Sequence, residues 1–383
     1  MKRKSGRVEV SSVSGENVNA YVPDALPPKS PPLQLEKLQP LLKTAEENLR
    51  LLDVAGDLIP SIEWFVYAFV RKEAVLSAQI EGTQATLSDL LENEADASVP
   101  DADLEEVCSY LAAQNHAWTA LHDEKGLPIS LRLLNEIHQH LLQGARGAQK
   151  QPGEIRRSQN WIGGTRPGNA LFVPPPPQLL PSLFRDFEVF IHDDSELPAL
   201  IQVGLLHAQF ETLHPYLDGN GRLGRMLIGM LLQHWGLLSR PLLYLSLYLK
   251  ERRQEYYRLL NGVRNGEWEE WLAFFVEGVA QVAEGAVLTS RNLNSIIAKG
   301  RERLMSNDDS TMLSVRLFEL LPEHLILNVL RVTQLLNCSR PAAGKALAIL
   351  EKLDILSLHG DDKKRNRMLA FTDYLNVLCD EPV

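Results

Sequence analysis

Apolar residues recur at helical spacing along most of this chain. From Leu35 onward the pattern is helical and stays so. Residues 45–55 read as one helix. Residues 61–80 read as a second, with Ile62, Phe65, Val66, Phe69, Val70 and Leu76 on a wide apolar face. Gly82 is placed to end that helix, and Thr86 with Asp89 to start the next in capping-box fashion. Residues 101–122 give a further helix, and Ser130 is an N-cap for 131–142. Residues 197–213 read as a helix with Leu197, Leu200, Ile201, Leu205, Phe210 and Leu213 apolar, and 225–235 as a buried helix. Trp268, Trp271, Phe274 and Phe275 open a long helix running to about Met305, whose second half is less apolar and reads as a connector.

The pattern breaks in three places. Residues 1–35 form an extended arm, because Pro23, Pro27, Pro28, Pro31 and Pro32 forbid a helix. Residues 153–164 read as a loop or short strand, and Gly168-Asn169 could close a small β-hairpin ahead of Pro174 to Pro177. The polar run 306–311 is a domain boundary. Beyond it come helices at 314–321 and around 326–329, the segment 332–339, an Ala-rich helix from Arg340, and a two-stranded ribbon within 355–371. This order resembles a winged helix-turn-helix. Lys363, Lys364, Arg365 and Arg367 in the wing could meet DNA phosphates, although Asp361 and Asp362 lie beside them.

Composition narrows the class. The 383 residues are 45% hydrophobic, enough for two or three domains with large cores. A net charge of −10 disfavours a chain built to coat nucleic acid. Cys108, Cys338 and Cys379 are far apart with no CxxC pair, so reduced thiols in the cytoplasm are expected. The basic N-terminus has no apolar run after it and is not a signal peptide. The longest apolar stretch, 226–238, is broken by Gln233 and His234 and is too short to span a bilayer, so no membrane partner is expected.

The chemistry gathers in twelve residues, His214-Pro-Tyr-Leu-Asp-Gly-Asn-Gly-Arg-Leu-Gly-Arg225, between two helices. Gly219, Gly221 and Gly224 precede or open a helix N-terminus, where backbone N–H groups and the helix dipole favour anions. Arg222 and Arg225 carry forked charges suited to phosphate. Asp218 is a hard oxygen ligand for Mg2+, and His214 can accept a proton near neutral pH. A Gly-rich turn between helices is often only a turn. Two arginines three apart and a histidine before a proline exceed what a turn requires. Gly219-x-Gly221-x-x-Gly224 also spells a dinucleotide fingerprint, but a helix precedes it and no ribose-binding acid follows at the right distance. A zinc site on His207 and His214 lacks a third ligand, and His138 and His140 point apart on their helix.

This string resembles the signature of the Fic family, with Tyr216 in place of the usual Phe. Ser77-Ala-Gln-Ile-Glu81-Gly82 resembles the inhibitory motif of regulated Fic proteins, and the two pieces 153–164, with Gly153-Glu-Ile-Arg156 and Asn160-Trp-Ile-Gly163, and 166–173 resemble a further Fic segment and the flap before the catalytic helices. The resemblance implies an all-α fold: a Fic-type helical core with a small β-hairpin flap, an N-terminal helical domain and a C-terminal winged helix-turn-helix. The expected divisions are the arm 1–35, an N-terminal helical domain 36–125, a catalytic core 126–285, a connector 286–310 and a winged-helix-like unit 311–383.

It also implies a protein adenylyltransferase moving AMP from ATP, with Mg2+, to Ser, Thr or Tyr hydroxyls of a target protein or of itself. His214 would be the base and Asp218 the metal ligand. Gly219, Asn220, Gly221, Arg222, Leu223, Gly224 and Arg225 would bind ATP, with Arg225 on the γ-phosphate. Glu81 would compete for Arg225, and Glu251 would touch the nucleotide. Extended flap backbone would pair with the target peptide. By analogy a homodimer is expected. Alternatives are AMP removal with Glu81 orienting water, transfer of another group such as phosphate or phosphocholine, and a DNA-binding regulator whose core senses nucleotide.

Overall fold

The computed structural model describes residues 3–13, 15–57, 61–96, 98–123, 126–144, 147–360 and 367–379. In chain order, strands β1 (Gly6–Val13) and β2 (Glu16–Pro23) precede helices α1 (Gln39–Asp57), α2 (Ile62–Glu81), α3 (Leu87–Asp96) and α4 (Ala102–His122). Then follow α5 (Leu131–Leu141), α6 (Leu180–His192), α7 (Ala199–Leu213), α8 (Asn220–His234), α9 (Ser246–Glu251), α10 (Arg253–Arg264) and α11 (Trp268–Met305). The last part holds α12 (Met312–Leu320), β3 (Ile326–Leu327), α13 (Val329–Leu336), α14 (Arg340–Lys352), β4 (Ser357–His359), β5 (Met368–Ala370) and α15 (Thr372–Cys379). The protein is all-α in class, with two small antiparallel sheets among the described residues.

The local signals act as their chemistry requires. Asp101 caps α4 through the Leu104 amide, and Ser130 caps α5 through that of Leu133. Thr86 and Asp89 exchange hydrogen bonds at the start of α3. One apolar core runs from Leu38 to Leu378. Helix α7 is buried on every side, its polar Gln202, His207, Gln209, Glu211 and Thr212 as well as its apolar residues. Helix α11 is continuous over 38 residues, and α1 packs along it. By length and composition α11 could cross a membrane, which the 226–238 run could not; 67% of its most apolar window is buried inside the protein.

Three expectations need correction. Residues 6–23 of the arm are a paired hairpin, with Val18, Ala20 and Val22 turned inward. The arm is also tied down. Arg3 pairs with Glu269 at 2.6 Å and donates to the carbonyls of Pro31 and Pro32. The flap is joined by one bridge, Ile162 to Phe172, and closed by a 3-10 turn over Pro167–Asn169 rather than a two-residue Gly-Asn turn. Asn169 makes that turn by accepting the Thr165 and Arg166 amides through its side chain. Residues 326–327 are strand β3, pairing with β5, so the sheet has three strands in the order β3-β5-β4.

In the C-terminal part, Asn337 turns the chain from α13 to α14 in the left-handed conformation. His359 meets Glu92 of α3 at 2.7 Å. The basic residues Lys363, Lys364 and Arg365 and the acidic Asp361 and Asp362 lie outside the described residues. Arg367 is described, and its guanidinium is paired with Glu351 at 2.6 Å.

Glu73 of α2 is buried and accepts the Ser246 amide at 3.1 Å and its hydroxyl. Burial pushes its carboxyl up to about 7, against the lowering effects of Ser246 and Arg225. A raised native value means the folded state holds the extra proton. The contribution to stability is complete below 4.5 and is lost as pH rises through about 7. Thermal melts should therefore fall between pH 5 and pH 8, and Glu73→Gln should make that fall shallower. A Glu73→Gln protein with the same slope would contradict the assignment.

Candidate active site

Helix α7 ends at His214, which takes φ 45° and ψ 61°. Pro215 cannot continue a helix and disfavours helical geometry in the residue before it. A left-handed histidine must be held there, and Arg156 holds it. Its Nε donates to the His214 carbonyl at 2.9 Å and its Nη2 to the Pro175 carbonyl at 2.6 Å, while its own amide donates to Pro215.

The loop that follows is stapled from several sides. Asn220 accepts the Tyr216 amide and donates to the Tyr216 carbonyl, each at 2.9 Å, and Asn160 donates to that same carbonyl. Tyr216 fills a buried hole, and its hydroxyl donates to Asn135. His138 stacks on Tyr216 at 3.8 Å; its Nε2 donates to the Asp218 carbonyl while Nδ1 accepts the Gly153 amide. Its role is to shape the loop, and burial keeps it neutral, at about 4. Gly219, at φ 75°, begins α8, whose first-turn amides at Asn220, Gly221 and Arg222 have no carbonyl four residues back. Leu223 is buried apolar packing.

The signature arginine meets the distant acid. Arg225 is buried, and its Nη2 donates to Glu81 Oε1 at 2.7 Å. Nε donates to the Ser77 hydroxyl and Nη2 to the Ser77 carbonyl, both at 2.9 Å. Ser77 and Glu81 are four apart on α2 and so share one helical face. Burial raises the Glu81 carboxyl, but the charge and hydrogen bond of Arg225, then Arg222 and His214, outweigh it and hold the group below its usual range. The contact depends on Gly221, where a Cβ would stand 2.3 Å from Glu81 Oε1.

These groups open on one cleft of about 320 Å³. Glu81, Gly221, Arg225 and His214 form one end. Ile162, Leu171 and Phe172 of the flap cover it, and Glu211 with Tyr256, Tyr257, Leu260, Asn261 and Arg264 forms the other wall. Burial, then the charges of Arg156 and Arg264, push the His214 imidazole down to about 3, against the opposing pull of Glu81 and the Glu211 carbonyl. The ring is neutral at pH 7, and with Nδ1 buried, Nε2 is left to accept a proton from the cleft.

Arg222 is tied to Glu106 at 3.0 Å and lies 3.6 Å from Asp218. Asp218 Oδ1 accepts the Gly219 amide at 2.6 Å, and the side chain is 45% exposed. A partly solvated carboxylate beside amides that can hold phosphate is a donor set that suits Mg2+, which takes one or two carboxylates and completes its shell with phosphate and water. His207 is no metal ligand: Nδ1 donates to the Gly224 carbonyl and Nε2 meets the Tyr256 hydroxyl. Among the described residues, no cluster of three His, Cys, Asp or Glu could hold a metal ion.

Glu251 is placed elsewhere than expected. It is exposed at the end of α9, paired with Arg252 at 3.1 Å, and does not line the cleft. The backbone breaks at Arg252, so α10 turns a different face inward. That face was readable: Tyr257, Leu260, Asn261 and Arg264 stand at i, i+3, i+4 and i+7. Arg264 lies 3.4 Å over the Phe172 ring and so couples α10 to the flap. Hairpin β1–β2 braces the flap from outside. The Tyr21 amide donates to the Val173 carbonyl, and Glu16 pairs with Arg166 at 2.9 Å.

Replacing Arg156 by Met should leave several buried carbonyls without donors, each worth about 1–3 kcal/mol. The expected outcome is a lower melting temperature and lost activity even where the protein is still folded. Full activity in a folded Arg156→Met protein would remove its positioning role.

Residues 39–119 match the family model described as Fic/DOC family N-terminal, and residues 128–232 match that of the Fic/DOC family. A probable protein adenylyltransferase of Aquifex aeolicus is 26% identical over 181 residues, covering 46% of this chain and 52% of the relative. A protein adenylyltransferase Fic of Drosophila virilis is 29% identical over 153 residues, covering 39% of this chain and 28% of the relative. The chain thus spans about half the length of the first relative and less of the second. A solved Fic family protein from Desulfovibrio desulfuricans has a TM-score of 0.55 at 18% identity, covering 89% of this chain and 97% of that one. A Fic domain containing signaling protein from Bacteroides thetaiotaomicron has a TM-score of 0.51 at 17% identity, covering 67% and 98%. At these identities the likeness to solved structures is one of fold.

Proposed function

The chain belongs to the Fic/DOC family, and we propose that it is a protein adenylyltransferase held idle by Glu81. It would transfer AMP from ATP to Ser, Thr or Tyr hydroxyls of target proteins, itself included. The observation that carries this is the 2.7 Å pair between Glu81 and Arg225, set over the first turn of α8 in the same cleft as a neutral His214.

In the transfer, the target hydroxyl oxygen attacks the α-phosphorus, its proton passes to His214 Nε2, and the bond from the α-phosphorus to pyrophosphate breaks. The first-turn amides of α8 hold phosphate oxygens, and Arg225 holds the γ-phosphate once Glu81 has left it. Asp218 would hold Mg2+, which when bound neutralises charge on the phosphates. Arg222 stays at the helix start, fixed by Glu106, and keeps positive charge there. An acid on the γ-phosphate position leaves the α-phosphate out of line, so Glu81 inhibits without touching the reacting atoms.

The test is incubation of Glu81→Gly with Mg2+ and ATP labelled at either the α- or the γ-phosphate. Label from the α-position should join the polypeptide and label from the γ-position should not. Retained γ-label would mean phosphate transfer instead, and no label from either would contradict the proposal.

A further inference from the structure

The transfer chemistry leaves Glu211 without a role. It lies on the last turn of α7, three residues before His214, and borders the cleft. Only 8% of the residue is exposed, and Oε1 has no hydrogen-bond partner. That oxygen rests on the backbone of Gly224, where a Cβ would stand 2.3 Å from it. Helix α8 therefore admits two carboxyl groups through two missing side chains, Glu81 over Gly221 and Glu211 over Gly224. The first acid has its partner. The second has none, because Arg225 donates to Glu81 and Ser77, and Arg264 donates to Thr212 and Asn261.

A buried acceptor bordering a cleft is satisfied by a donor on whatever fills the cleft. ATP has few donors. Its phosphates and ring nitrogens accept, and only the ribose hydroxyls and the base amine donate. Spacing chooses between these. The reacting α-phosphate must face His214, and Glu211 precedes His214 by three residues on α7, a rise of about 4.5 Å. One such step from the α-phosphate reaches the hydroxyls of its own ribose, and the base amine lies further on.

We propose that Glu211 is a specificity residue of the nucleotide subsite, accepting a hydrogen bond from a ribose hydroxyl. This rests on the adenylyltransferase reading. It predicts that the cleft distinguishes a ribonucleotide from a deoxyribonucleotide through one side chain.

The test uses full-length Glu81→Gly protein, alone and combined with Glu211→Gln or Glu211→Leu. Affinity by calorimetry and AMP transfer are measured with Mg2+ and ATP, 2′-deoxy-ATP, 3′-deoxy-ATP and the triphosphate of purine riboside, which lacks the base amine. The parent should prefer ATP over one deoxy analogue by about 10- to 100-fold. Glu211→Gln keeps an acceptor oxygen and should keep most of that preference. Glu211→Leu should bring the ratio to within about twofold. If Leu crowds Gly224 and unfolds the protein, Glu211→Ala gives the same readout. An unchanged ratio in the folded Leu or Ala protein overturns the assignment. So does a change confined to the purine riboside nucleotide, which would point to the base amine. If the parent neither binds nor transfers ATP, the adenylyltransferase reading falls and takes this one with it. If ATP is bound and transferred while the ratio stays fixed, only the role of Glu211 falls.

Discussion

His214→Ala is expected to abolish AMP transfer, with a loss of about 100- to 10,000-fold, the usual contribution of a positioned general base. Three features make this the largest expected effect. The imidazole is neutral, because burial and the charges of Arg156 and Arg264 hold it down at about 3. It is aimed, because the left-handed turn at His214 is clamped through its own carbonyl by Arg156. No second histidine replaces it, since His138 and His207 each have both ring nitrogens engaged. The depressed value also fixes the pH profile. A group that protonates only near pH 3 adds no acid limb between pH 5.5 and 8. The fold should survive, so a His214→Ala protein with wild-type melting temperature and full transfer would remove His214 from the reaction.

Glu81→Gly is expected to raise transfer by about 10- to 30-fold, seen first as self-modification. A hydrogen bond between charged groups is worth about 1.5–3 kcal/mol, and about 1.4 kcal/mol is tenfold. The lower part of that range applies, because the Glu81 side chain is 36% exposed and water screens it. Removing the carboxyl frees one N–H of Arg225 Nη2, while Ser77 still holds Nε and the other Nη2 hydrogen in place. The arginine is thus left oriented for a phosphate. Equal labelling of wild type and Glu81→Gly by α-labelled ATP would argue against an inhibitory role.

Much of this arrangement could be read from local rules. Helices α2, α4, α5 and α11 follow from apolar spacing and capping residues, which act over one or two turns. The pairing of Glu81 with Arg225, 144 residues apart, is implied only by the resemblance of their two motifs to those of regulated Fic proteins, and the structure brings the two side chains into contact. Contacts with no local signature were not legible. Arg156 reaches carbonyls 57 and 58 residues away, and His138 reaches one 80 residues away. The sequence around them says only that these groups are polar and must find partners.

Val18, Ala20 and Val22 alternate as a half-buried strand does, a short signal beside the run of prolines that follows it. Tyr257 to Arg264 keep helical spacing and line the cleft, whereas Glu251 lies one helix earlier. A two-residue strand such as Ile326–Leu327 cannot be told from an apolar helix turn by periodicity at all.

On the proposed function, one cleft transfers AMP and Glu81 keeps it from doing so. Intact mass spectrometry tests this most directly, after incubation of wild type, Glu81→Gly and Glu81→Gly/His214→Ala with Mg2+ and ATP. The expected result is addition of AMP to Glu81→Gly, little on wild type and none on the double variant. Unmodified Glu81→Gly protein, or a gain of phosphate mass in place of AMP, would contradict the claim.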